Sequence, residues 1–232
     1  QKDIRSELYE INDHASSLFQ TNLFDNNNKK ILSHLMQRGF SEEIIKAFGL
    51  GLSTNKKDEV LKLIQQKKYN SKSMLSSGLF IDTKIGYMDR FRNRIMFTIY
   101  SSTGKSVGFA GRAIDKNESA KYINSPETQI YNKSKILYGL HITKNDISTY
   151  DSVVIVEGYF DFLQLFQAGI KNVVAVSGTS LTDGHAHIIK RLTKNVLIAY
   201  DGDDAGKSAA IRAGYLLLKN GLNPSIVKIQ DG

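Results

Sequence analysis

From Asp151 onward, short apolar runs alternate strictly with amphipathic stretches: VVIV then YFDFLQLFQAGI, VVAV then TDGHAHIIKRL, VLIAY then DDAGKSAAIRAGYLLLKNG, and last PSIVKI. The runs are rich in β-branched residues and carry no polar face, which suits strands buried on both sides of a parallel sheet; the stretches between them have helical spacing. Parallel neighbours require long crossovers, and right-handed crossovers put helices on both faces. The alternation predicts an α/β fold, a Rossmann-like parallel βαβαβαβ unit over residues 151–232. Ligands of such sheets sit beyond the carboxyl ends of the strands, near the point where the strand order reverses.

The preceding residues follow other periods. Residues 1 to about 70 read as helical: SELYEINDHASSLFQTNLF and KKILSHLMQRGF show three-to-four spacing, Ser41 before Glu42 and Glu43 suits an N-cap for IIKAF, and Asp58 opens EVLKLIQQKK. Between Gly78 and Tyr100 the period drops to two (LFIDTK, then RIMFTIY), and TGKS turns the chain into VGFAGRAI, so a β-meander is predicted. Lys116 to Lys135 is polar, has little periodicity and holds one of only two prolines; a loop of that length is more often functional than idle. This makes 1–150 a mixed α+β domain, with the boundary near Ser148 to Asp151.

Composition removes several function classes. With 41% hydrophobic residues, 23% charged and two prolines, the chain is neither disordered nor collagen-like. It has no cysteine, which excludes disulfides, a thiolate nucleophile and a cysteine zinc site, and fits a reducing cytoplasm. The longest apolar runs are strand-sized, so no membrane partner is expected, and QKDIRSELYE is no signal peptide. The missing initial Met and the stop at Asp231-Gly232 read as a fragment cut from something longer.

The net charge of +8 is uneven. Residues 151–232 hold eight bases and eight acids, whereas residues 84–144 hold eleven bases against four acids. A basic concentration suits a polyphosphate partner, since each neutralised phosphate releases counterions; a solvated lysine-rich surface is the plainer reading. In DRFRNRIMFTI, Arg90, Arg92 and Arg94 alternate with Phe91, Asn93 and Ile95, which on a strand projects three guanidiniums from one face, a geometry for phosphate.

Carboxylates crowd the carboxyl ends of the predicted parallel strands: Glu157 after the first, and Asp201, Asp203 and Asp204 after the third. Asp161 follows Glu157 by one helical turn and shares its space if a helix starts by Tyr159. If the first and third strands are neighbours, the two clusters meet, and like charges that close call for a cation. Oxygen ligands without His or Cys select Mg²⁺ or Mn²⁺. For any one of these acids, helix capping alone is the simpler account, but capping does not require Glu157, Asp201 and Asp203 together. AGKSAA ends like a phosphate-binding loop, yet the glycine required five residues earlier is Asp201, so that reading fails. His185 and His187, two apart near a helix start, do not share a face and read as surface or core histidines; Ser177-Gly178-Thr179 reads as a turn.

VVIVEGYFDFLQLFQAGIKNVVAVSGTSLT followed by NVLIAYDGDDAGKSAAIRA resembles the Toprim domain, a metal-binding module shared by bacterial primases, topoisomerases and some nucleases. Upstream, MQRGFSEEIIKAFGLG, DRFRNRIMFTI, GFAGRAI, KYINSPET and YNKSKILYG resemble, in that order, the catalytic core of DnaG-type bacterial primases over about residues 30–232. The resemblance implies template-directed synthesis of short RNA primers on single-stranded DNA during replication, by nucleotidyl transfer from NTPs with pyrophosphate release. It implies metal at Asp161, Asp201 and Asp203, and Glu157 as a ligand or proton acceptor. It implies that Arg38, Arg112, Lys121 and Lys133 contact template or triphosphate, with Tyr122 and Asn124 lining the site; Arg90, Arg92 and Arg94 lie in one of its motifs. It also implies parts not present in this chain: a zinc module before the core, a further acidic motif after the fourth strand, and a region that binds the replicative helicase. The chain by itself is therefore expected to be impaired. Another Toprim enzyme, a topoisomerase or nuclease, and a nonenzymatic nucleic-acid binding module remain as alternatives.

Overall fold

Burial at helical spacing organises the first part of the chain. In the computed structural model, which describes residues 3–84, 86–176 and 178–227, helix α1 (Ile4–Phe24) buries Leu8, Ile11, Ala15, Phe19 and Leu23 along one stripe. After a 3₁₀ turn come α2 (Lys29–Gln37) and α3 (Glu42–Ala47), the latter capped as expected by Ser41, whose Oγ accepts the Ile44 N–H at 3.3 Å. Leu50–Ser53, expected to be helical, is a fully buried strand, β1. It lies against α1 so closely that a Cβ on Gly51 would come 2.5 Å from the Phe19 Cβ. Next are α4 (Glu59–Gln66), α5 (Ser71–Ser76) and the paired strands β2 (Phe80–Thr83) and β3 (Gly86–Asp89). Asp89 of β3 is buried and accepts the N–H groups of Val60 and Leu61, at 2.8 and 3.0 Å, which tethers the start of α4. β4 (Arg94–Tyr100), β5 (Ser106–Ala113) and β6 (Tyr122–Asn124) complete a sheet of order β1-β4-β5-β6. Ile11, Phe19, Met96 and Phe109 belong to its core.

The remaining elements are α6 (Leu140–Thr149), β7 (Val153–Val156), α7 (Tyr159–Gln167), β8 (Val173–Ala175), α8 (Asp183–Lys190), β9 (Asn195–Ile198), α9 (Asp204–Lys219) and β10 (Asn223–Ile226). The four strands form one parallel sheet of order β10-β9-β7-β8, the predicted βαβαβαβ unit. In chain order this is 2-1-3-4, so the first and third strands are neighbours, with Val153 opposite Val196 and Ile155 opposite Ile198. The strand order reverses between β7 and its neighbours β8 and β9, which places the carboxyl ends of β7 and β9 at the switch point. Ser177, and Lys228 and Ile229 at the end of the predicted fourth strand, lie outside the described residues.

The chain divides into two compact units: the residues up to Ile99 with Lys105–Asn132, and Tyr100–Gly104 with the residues from Lys133 on. Residues 133–150, placed in the first domain by the sequence pattern, thus pack in the second unit. Leu137, Leu140 and Ile147 share one apolar core with Val153, Ile155, Val196 and Ile198, and helical periodicity alone does not reveal which sheet a helix covers. Among the described residues no helix is long and apolar enough to cross a membrane.

Candidate active site

β7 ends at Val156 and delivers Glu157 to the edge of the sheet; β9 ends at Ile198, and Asp201 and Asp203 follow on the adjacent loop. Glu157 is half-buried, and its Oε1 is shut off from solvent without a hydrogen-bond partner. The Glu157 carboxyl titrates above its ordinary range. Burial is the main cause and the Asp201 carboxylate the next; the Asp201 N–H partly offsets them, and Asp203 and Asp161 push the same way as Asp201. β7 and β9 are neighbours, which is the condition set for the two acidic clusters to meet.

Each acid has a structural contact as well. Asp161 stands in the first turn of α7, which starts at Tyr159, and its Oδ2 accepts the Gly158 N–H at 3.1 Å. Asp203 caps α9, its Oδ1 accepting the Gly206 N–H at 2.7 Å. Gly206 is required there, because a Cβ would stand 2.2 Å from the Asp201 carbonyl oxygen. Asp201 and Asp203 are exposed, and Asp204 is the first residue of α9. Among the described residues no three acidic or imidazole side chains are already assembled as a metal cage. That does not conflict with a magnesium site. Such ions keep several waters and take one or two carboxylates, with substrate phosphates completing the shell. The donor set is all oxygen, one oxygen is buried and unpartnered, and the field is negative, so these residues fit a hard divalent cation.

Sequence reasoning missed Tyr200. Its side chain is buried, its hydroxyl has no partner, and burial together with the Glu157 charge holds the phenol protonated well above its usual range. The only available signal was its place at the end of VLIAY, next to the acids.

In the first unit, four of the predicted basic and polar positions come together at the β5–β6 edge. Arg112 pairs with Tyr122 across the strands, its Nη1 donating to the Tyr122 hydroxyl at 3.3 Å and its guanidinium 5.7 Å from the ring centre. Asn124 lies opposite Ala110, and exposed Lys121 directly precedes β6. Arg38 stands at the end of α2 in the same unit. The arginine run departs from expectation. β4 begins only at Arg94, and Asn93 has φ +53°, so Arg90, Arg92 and Arg94 do not share a strand face. Arg90 Nε donates to the Gly78 carbonyl at 2.8 Å. Arg94 is buried, its Nη1 donating to the carbonyls of Gly111 and Ala120 at 3.3 and 2.9 Å, with Glu118 3.6 Å from Nη2. The alternation was real, but backbone carbonyls claim two of the three guanidiniums. Lys133, in the second unit, opens the 3₁₀ turn Lys133–Lys135.

Residues 18–144 match the family described as DNA primase catalytic core, N-terminal domain, and residues 151–228 match the Toprim domain. The chain belongs to the DNA primase catalytic-core family. A DNA primase of Clostridium acetobutylicum is 38% identical over 232 residues, which is 100% of this chain and 38% of that protein, so the chain spans about two fifths of that relative's length. The RNA polymerase domain of Mycobacterium tuberculosis primase DnaG superposes with a TM-score of 0.91 at 30% identity, covering 98% of this chain and 77% of the other. A DnaG primase catalytic domain bound to single-stranded DNA gives 0.89 at 36% identity, covering 99% and 73%. Within this primase family fold, Glu157, Asp201 and Asp203 stand at the switch point of the Toprim sheet.

Proposed function

We propose that this chain carries the nucleotidyl-transfer core of a primase, making short RNA primers on single-stranded DNA from ribonucleoside triphosphates. The observation that carries the reading is Glu157, half-buried with one unpartnered oxygen, in the field of Asp201 and Asp203 across neighbouring parallel strands. Further support is the match to a primase-specific N-terminal domain, which favours primer synthesis over topoisomerase or nuclease chemistry, and the related catalytic domain bound to single-stranded DNA.

Asp201 and Asp203, exposed on the loop after β9, with Asp161, would hold magnesium or manganese beside Glu157. When bound, such an ion neutralises phosphate charge and lowers the proton affinity of a coordinated hydroxyl. Glu157, whose carboxyl binds a proton more readily than an ordinary glutamate, is placed to accept the proton of the attacking 3′-hydroxyl at Oε1. That hydroxyl displaces pyrophosphate from the α-phosphate of the incoming nucleotide. Lys133 would bind the polyanion, as would the β5–β6 edge with Arg112, Lys121, Tyr122 and Asn124, while Arg38 and Arg92 supply further cations. Arg90 and Arg94 serve the first unit's backbone.

The test is ribonucleotide incorporation by the full-length protein on a single-stranded DNA oligomer, with magnesium titrated. Asp201→Ala with Asp203→Ala should remove primer synthesis and the metal response. Template cleavage without primers, or a metal response unchanged in the double variant, would overturn the reading.

A further inference from the structure

We propose that the first turn of α8 is a clamp that positions Lys133, with His185 and Thr182 acting as positioning residues; the inference rests on the reading that Lys133 meets a phosphate. Lysine is a compact charge on a flexible stem, so its value in a site depends on how firmly its backbone is held. Lys133 stands on a short 3₁₀ turn, which has little cooperative stability of its own.

Two successive carbonyls of that turn are taken by side chains of one helical turn 48 to 52 residues later in the sequence. His185 is 0% exposed. Its Nδ1 accepts the Thr182 N–H at 3.3 Å, and a backbone N–H can only donate, so the ring proton sits on Nε2. From there it donates to the Lys133 carbonyl at 2.9 Å. Thr182 Oγ1 donates to the Ser134 carbonyl at 2.6 Å while accepting the His185 N–H at 3.2 Å. One hydroxyl thus caps α8 and ties the helix to the turn. Gly184 completes the fit, because a Cβ there would stand 2.3 Å from the Ser134 carbonyl oxygen. Burial lowers the proton affinity of His185, which keeps the imidazole neutral and this donor pattern intact. An aliphatic residue would fill the same space without desolvating two ring nitrogens; the imidazole is matched to a carbonyl whose position matters.

The experiment compares Lys133→Ala, His185→Leu, His185→Gln and the double variant Lys133→Ala/His185→Leu in the full-length protein. It reads the KM for ATP, kcat, and the affinity for a single-stranded DNA oligomer. Gln keeps an N–H donor near the position of Nε2, and Ile189→Val trims the buried face of the same helix without touching the turn. Lys133→Ala should raise KM or weaken DNA binding. His185→Leu should reproduce about ten-fold of that loss with kcat less affected, and His185→Gln should recover to within about two-fold. The double variant should be no worse than Lys133→Ala alone, because His185 acts through Lys133. Additive losses in the double variant, an unaffected His185→Leu beside an impaired Lys133→Ala, or an equal KM rise in Ile189→Val would each overturn the clamp. An unaltered Lys133→Ala would instead overturn the assignment of Lys133, and the clamp with it. If His185→Leu does not fold, Gly184→Ala displaces Ser134 with both side-chain donors in place and must give the same KM pattern; an unchanged KM would overturn the proposal.

Discussion

Replacing Glu157 by glutamine should make the protein more stable without metal and less responsive to it. In the absence of a cation, the carboxylate at position 157 is opposed by desolvation and by Asp201, Asp203 and Asp161. Glutamine keeps the shape and can still accept the Asp201 N–H, but it carries no charge into that field. Like-charge repulsion at a partly solvated site is worth about 0.2–1 kcal/mol; the upper end applies here, about 1 kcal/mol, because three carboxylates act together on a half-buried Glu157. For a chain of this size, that gain corresponds to a Tm rise of about 2–4 °C in chelator. Added magnesium reverses the order. At a concentration 100 times its Kd, a ligand bound only by the native state adds about 2.7 kcal/mol, and Glu157→Gln, which keeps the three holding acids but loses one of the four charges that attract the ion, should collect less of this than the wild type by more than about 1 kcal/mol. Thermal unfolding of both proteins across a magnesium titration should therefore give curves that cross. Parallel curves, or a variant less stable than wild type in chelator, would refute the argument that these acids are held together at a cost that a cation removes.

Other expectations follow from particular contacts. Gly206→Ala should cost about 2 kcal/mol and weaken the magnesium response, since its methyl group must displace the Asp201 carbonyl. In the same helix, Gly214→Ala, whose Cβ would meet only the Ile198 Cδ1 at 3.9 Å, should stabilise by about 0.5–1 kcal/mol; urea unfolding of the pair checks both, and similar signs would refute the contrast. Burial first, and Lys144 second, hold the His141 pKa down to about 4, so between pH 6.5 and 4 the unfolded chain binds a proton that the folded one refuses. The stability tied to His141 is complete above pH 6.5 and is lost as the pH falls toward 4, by about 1–2 kcal/mol because water screens part of the half-buried ring; His141→Phe should flatten that part of the stability–pH curve. Arg94→Lys should lose about 2 kcal/mol, because a single ammonium cannot reach Gly111, Ala120 and Glu118 together; the salt dependence of DNA binding should be unchanged, and a reduced slope would return Arg94 to the polyanion site.

The parallel sheet was legible because VVIV, VVAV and VLIAY have no polar face, a pattern that few environments other than the middle of an α/β sheet accommodate. The acids were legible for a related reason: strand ends are visible in such a sequence, and Glu157 stands directly after β7 while Asp201 follows the end of β9 by three residues. β1 was not legible, since LGLS is only four residues long and carries no β-branched residue, and its strand state comes from pairing with β4 beneath α1. Arg90, Arg92 and Arg94 were misread because period-two spacing is necessary for a strand face but not sufficient. Asn93 at positive φ breaks the pleat, and the carbonyls of Gly78, Gly111 and Ala120, all distant in sequence, take up the guanidiniums. His185 is the extreme case. Its Nε2 proton is committed to a carbonyl 52 residues away, and neither segment's periodicity bears any mark of that bond. A side chain whose work is to hold another residue's backbone is set by tertiary geometry, so a helix-start histidine of this kind can be recognised only once the turn it grips has been located.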